Sequence, residues 1–178
     1  MTERVPTIPE LDALAENDCR AALAPLFEGA PRFLARLCAD RPFGDAAHLF
    51  ARAREIARAM PEPEQVELID AHPRLGAPRE AVSSLSFIEQ GYHREADEAA
   101  VTDTGAALAE ELERLNARYE AVFGFRYCVF VAGRSRASLV PELSAAVHAG
   151  RDAEIARALE AVVAIAADRY RKVASPVD

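Results

Sequence analysis

Apolar side chains recur along this chain at the spacing of one helical face after another. In residues 18–30, Ala22, Leu23, Leu26 and Phe27 share a face that ends at Gly29, the pattern of an amphipathic helix. Residues 31–40 predict a short helix with Pro31 near its start, closed by Arg41-Pro42, because the residue before a proline disfavours helical geometry. Residues 45–60 carry Leu49, Ala53, Ile56 and Met60 in register behind Asp45, a plausible cap. The next helix, 61–72, is acidic in its first turn, as the helix dipole favours. A short helix follows at 86–93. The long helix over 95–121 places Leu108, Leu112, Leu115 and Tyr119 at i, i+4, i+7 and i+11. Helices over 136–149 and 152–174, separated by Gly150, complete the pattern.

One stretch breaks the period. FGFRYCVFVAGRSR, residues 123–136, is aromatic and β-branched with no helical repeat. Alone it reads as a strand, but no second strand is there to pair with it. It is therefore expected as an extended, buried segment whose N–H and C=O groups need partners from packed helices or from a ligand. The chain accordingly reads as all-α: a single compact multi-helix domain over 1–178, with one extended segment near 123–134 and no linker long enough to divide it.

Composition narrows the class. Aromatic residues are 7% and Trp is absent, a balance that favours helices over a β-sandwich. The net charge of −8 argues against nucleic acid, whose binding rests on neutralising phosphates, and against an anionic membrane surface. No apolar run approaches the ~20 residues of a membrane span. The opening MTERVPTIPE has no signal-peptide character and the final SPVD is no peroxisomal address. Cys19, Cys38 and Cys128 show no metal-ligand spacing and read as reduced thiols. The expectation is a soluble, cytoplasmic protein.

Four features raise a question of chemistry. His72 stands immediately before Pro73, where a helix is made to stop; a histidine there is favoured by the dipole, and it is also the side chain suited to proton transfer near neutral pH. Glu89 lies among Leu85, Ile88 and Tyr92. Ser86 three residues earlier fits a capping box with Glu89 reaching back; alternatively, Glu89 and His93 at i, i+4 could join His72 around a metal. Arg169 falls on the apolar stripe of Ile155, Ala158, Val162 and Ile165, so it either snorkels to solvent or holds a buried anion with its planar fork. The extended segment supplies main-chain donors. One His, one Glu with a Ser and a Gln beside it, a buried-looking Arg and free donors suit a small anionic substrate.

The segments AHPRLG (71–76), LSFIEQGY (85–92), LNARYEAVFGFRYCVFVAGRSRASLV (115–140) and IAADRY (165–170), in this order, resemble the OHCU decarboxylase family. LFEGAPRF and RPFGD resemble its N-terminal half, so the likeness covers nearly the whole chain. It implies cofactor-independent decarboxylation of 2-oxo-4-hydroxy-4-carboxy-5-ureidoimidazoline to S-allantoin in urate degradation, by an all-helical protein that is usually a homodimer and needs no metal. His72 matches the family's proton donor and Glu89 its second catalytic group. Pro73, the segment Ser86, Phe87, Ile88 and Gln90, and the segment Phe123, Gly124, Phe125, Arg126 and Tyr127 match substrate-binding positions. Arg169 aligns with the arginine of the family's last helix, and Arg134 is a further candidate. Arg74 stands where an acidic residue is common. The alternative reading is a non-catalytic helical module that binds a ureido or purine-derived anion.

Overall fold

The computed structural model describes residues 5–93 and 103–174, and no strand occurs among them. The helices are α1 (Ile8–Ala13), α2 (Glu16–Leu23), α3 (Pro31–Ala39), α4 (Ala46–Ala59), α5 (Glu62–Asp70), α6 (Ser84–Glu89), α7 (Asp103–Phe123), α8 (Arg136–Ala146) and α9 (Arg151–Ala174), with 3-10 turns at Ala24–Leu26 and Arg79–Ala81. The all-α expectation holds. Residues 95–102 of the expected long helix lie outside the described residues.

Local chemistry explains most boundaries. Asp45 caps α4 as expected, accepting from the His48 N–H at 2.7 Å. The helix expected to stop at Gly29 changes already after Leu23 into the tighter turn Ala24–Leu26, where Pro25 offers no N–H to an α-helical ladder. The expected capping box is overturned. The cap of α6 is Ser83, whose side chain accepts from the Ser86 N–H at 3.2 Å. Ser86 is therefore inside the helix, and Glu89 is its last residue.

The chain divides into two compact units: Met1–Ala71 with Leu159–Asp178, and His72–Ala158. The first unit packs α1 to α5 and the later part of α9 around Leu11, Leu26, Phe33, Leu37, Leu49, Ile69 and Val162, all buried. Phe27 meets Phe33 with centroids 4.8 Å apart, and Phe50 meets Tyr170 edge-on. Arg54 and Arg58 of α4 both pair with Glu160.

The second unit is built on α7. Its buried Tyr119 meets Phe123, Phe125 and Tyr127 at centroid separations of 4.6, 5.7 and 5.2 Å. Gly124, at φ +78°, closes α7 by donating its N–H to Glu120 O at 2.8 Å, a left-handed helix end that favours glycine. Residues 126–131 then carry neither helix nor strand pairing. Arginine side chains take several of their carbonyls: Arg151 that of Phe123, Arg157 that of Cys128 and Arg134 those of Phe130 and Val131.

Candidate active site

The HPRLG segment leaves α5 and forms a loop fastened along its whole length within the second unit. Arg126 Nη1 donates to His72 O at 3.2 Å. Arg74 pairs with Glu120 through Nε at 2.7 Å and Nη2 at 2.5 Å, and with Glu113 through Nη1. The Arg74–Glu120 bonds raise the guanidinium above its ordinary pKa, against its partial burial. Asn116, fully buried on α7, donates to Leu75 O at 2.9 Å. Gly76 has φ +79°, and a Cβ there would meet Leu112 Cδ1 at 2.7 Å. The absent side chain lets the loop lie directly on α7.

Gln90 joins this loop to α6. Its Oε1 accepts from the Gly76 N–H at 2.8 Å and its Nε2 donates to Arg74 O at 3.2 Å. Tyr92 adds a hydrogen bond from its hydroxyl to Ala77 O. Three of the sequence segments thus meet in one unit: 72–77 touches 86–92 through Gln90 and Tyr92, and touches 123–127 through Arg126.

The expected site residues occupy different settings. His72 is 3% exposed although it is a histidine at a helix end. Ser86 and Gln90 are buried, and Pro73, Phe87 and Glu89 are half-buried. Phe87 stacks on Tyr92 at 5.4 Å, and the Arg136 guanidinium lies 4.2 Å over the Tyr92 ring. Burial raises the Tyr92 phenol, against the opposing pull of Arg136. Ile88 is exposed. Phe123, Phe125 and Tyr127 are buried, Gly124 is exposed and Arg126 is half-buried. Burial is also the main cause that raises the Tyr127 phenol.

Two arginines are held by the protein itself. Arg169, in the first unit, is 1% exposed. It donates to Pro25 O at 2.8 Å and to Leu26 O at 3.4 Å, and Nη2 pairs with Glu28 at 2.7 Å. Snorkelling is excluded, and a buried anion that its fork holds is the protein's own Glu28. Exposed Arg134 pairs with Glu142 at 2.9 Å and closes the turn after Val131.

Among the described residues no group of three or more His, Cys, Asp or Glu side chains could hold a metal ion, which removes the arrangement of His72, Glu89 and His93. Sequence alone assigned no loop-fastening role to Arg74, Tyr92 or Asn116. Asn116 carried a signal: it falls on the apolar stripe of α7, four residues after Leu112, where a polar amide has to find a partner.

A profile described as OHCU decarboxylase matches residues 12–171. The chain is 28% identical over 165 residues to the Uric acid degradation bifunctional protein PucL of Bacillus subtilis, covering 93% of this chain and 32% of that protein. It therefore spans about a third of that relative's length. It is 24% identical over 160 residues to the 2-oxo-4-hydroxy-4-carboxy-5-ureidoimidazoline decarboxylase of Haloferax volcanii, covering 90% of this chain and 91% of that protein. Among solved structures, an OHCU decarboxylase crystallised in the presence of (S)-allantoin superposes with TM-score 0.62 at 21% identity, over 84% of this chain and 94% of that one. An (S)-allantoin synthase gives 0.65 at 20% identity, over 94% of this chain and 54% of that one. At these identities the structural likeness is one of fold. The profile, however, runs through nearly the entire sequence, including every segment that fastens the His72 loop, and this chain belongs to the OHCU decarboxylase family.

Proposed function

We propose that this chain decarboxylates 2-oxo-4-hydroxy-4-carboxy-5-ureidoimidazoline to S-allantoin in urate breakdown, without a cofactor, as a cytoplasmic homodimer. The observation that carries the reading is the double hydrogen bond of Gln90 to Gly76 and Arg74. It fixes the segment bearing Glu89 against the loop bearing the buried His72.

The substrate bears a carboxylate and a hydroxyl on one ring carbon. When the carbon–carboxylate bond breaks and CO₂ leaves, the electron pair left behind enters the ring system, and the ring is then protonated on one face. Glu89 is assigned to the substrate hydroxyl or a ring nitrogen, where it steers electron flow. His72 is assigned the proton, a transfer of the kind typically worth ~10²–10⁴-fold. Main-chain N–H groups of 123–127 are assigned to the polar and developing negative atoms. Arg169, whose fork already holds Glu28, is proposed as a substrate-binding residue on the IAADRY resemblance alone. The reaction also proceeds unaided, so much of the enzyme's contribution is the choice of face.

The test is to add the purified chain to freshly generated substrate, with a strong chelator present, and to follow circular dichroism. Acceleration with accumulation of S-allantoin supports the proposal. Decay at the uncatalysed rate to racemic product overturns it, and binding without acceleration would leave the non-catalytic anion-binding module as the reading.

A further inference from the structure

A second chemically reactive cluster lies in the first unit, on residues the decarboxylation does not use. Cys19 on α2 and Cys38 on α3 are both free and buried, and their sulfurs are 2.7 Å apart. A disulfide bond is ~2.0 Å long, so a short approach brings the sulfurs to bonding distance. Cys128, the third thiol, is buried in the second unit.

The pair is electrically asymmetric. The contact with Cys38 and the charge of Arg41 lower the Cys19 thiol, against its burial, while the contact with Cys19 and burial push the Cys38 thiol up. Arg41 is fixed near the pair by donating to Cys38 O at 2.8 Å and to Leu11 O at 3.0 Å. Cys19 is therefore the thiol of the pair that ionises more readily, and thiolate is the nucleophilic form. Cys19 is 0% exposed, so a peroxide reaches it only when the start of α2 opens locally. It lies in the first turn of an eight-residue helix whose N-cap, Ala15, makes no side-chain cap hydrogen bond. Such an end opens locally at low cost.

We infer that Cys19 and Cys38 form an oxidisable dithiol that closes to an intrachain disulfide when the protein meets a hydroperoxide. The Cys19 thiolate attacks one peroxide oxygen, the O–O bond breaks, and the second oxygen leaves as hydroxide and takes up a proton to become water. Cys38 then attacks the sulfur of the Cys19 sulfenic acid. The S–O bond breaks, the S–S bond forms, and the departing hydroxide takes the Cys38 proton as a second water. Two thiols are oxidised by two electrons and one peroxide is reduced to two waters.

The bond ties α2 to α3. The end of α2 continues into Ala24–Leu26, where the Pro25 and Leu26 carbonyls receive Arg169. Closure therefore stiffens the segment on which that guanidinium rests, and it restricts the unfolded chain.

The experiment treats the reduced full chain with a small excess of hydrogen peroxide and measures intact mass, linked peptides and thermal unfolding. The expected result is loss of two hydrogen atoms, a Cys19–Cys38 peptide link, a melting temperature raised by several degrees, and reversal of all three by dithiothreitol. Cys128→Ala should behave like wild type, whereas Cys19→Ala and Cys38→Ala should lose the link. The inference is overturned if the treated wild-type chain keeps all three thiols titratable on denaturation, gains oxygen without a link, or links Cys128 instead. These readouts on unsubstituted protein do not depend on any variant folding.

Discussion

Glu89 shows how one boundary changes the meaning of a side chain. With Ser86 as N-cap, its carboxylate would have had a complete structural explanation. Ser83 takes that role, so Glu89 closes α6 half-buried beside Gln90. Glu89→Gln keeps size and touches no cap, but exchanges an acceptor oxygen for an NH₂ donor. Its stability should fall by no more than about 1 kcal/mol, the net worth of one hydrogen bond, while turnover falls. Melting and steady-state rates together check this, and full activity in the variant removes Glu89 from the chemistry. Arg169 makes the opposite case. Its fork spans two carbonyls and a carboxylate, which a lysine's point charge does not reproduce. Arg169→Lys should cost about 1–3 kcal/mol through unsatisfied buried groups, and should also raise KM. An unchanged KM takes Arg169 out of substrate binding and leaves it as the partner of Glu28.

The helices were legible because their apolar stripes are long and regular; α3, α4 and α9 lie close to where the spacing put them. The extended segment was legible for the complementary reason, an aromatic run with neither period nor partner. What periodicity could not reveal is the fastening of the HPRLG loop. Its partners Gln90, Tyr92, Asn116 and Arg126 come from α6, α7 and the segments that follow those two helices, and most of their bonds go to main-chain atoms, which carry no sequence signal. Gly76 is the exception. Its φ of +79° and its contact with Leu112 make it the tightest point between loop and α7. Gly76→Ala should destabilise by about 1–3 kcal/mol, as overpacking a well-packed site does, and should lower turnover by displacing His72. Thermal unfolding and activity measured on the same sample test this, and an unaltered melting temperature would contradict the close packing described here.

At the level of the complete chain, the acidic balance of −8 fits a protein whose binding partner is a small molecule rather than nucleic acid. No described helix is long and apolar enough to cross a membrane. The Cys19–Cys38 contact was invisible in sequence, because 19 positions separate the two thiols and only the packing of α2 on α3 joins them. The proposed homodimer is checked by light scattering, which should give twice the chain mass at micromolar concentration; the mass of a single chain would refute it.

His72 offers the sharpest trial. Arg126 on His72 O, Asn116 on Leu75 O and Gln90 on the Gly76 N–H hold the loop at its main chain, so His72→Asn should leave far-UV circular dichroism and the fold unchanged. Supplied with freshly made substrate, the variant should lose ~10²–10⁴-fold in catalysed rate, the usual worth of a positioned proton donor, and its product should be racemic allantoin. Near wild-type production of optically pure S-allantoin by His72→Asn would contradict the assignment of this buried histidine to the reaction.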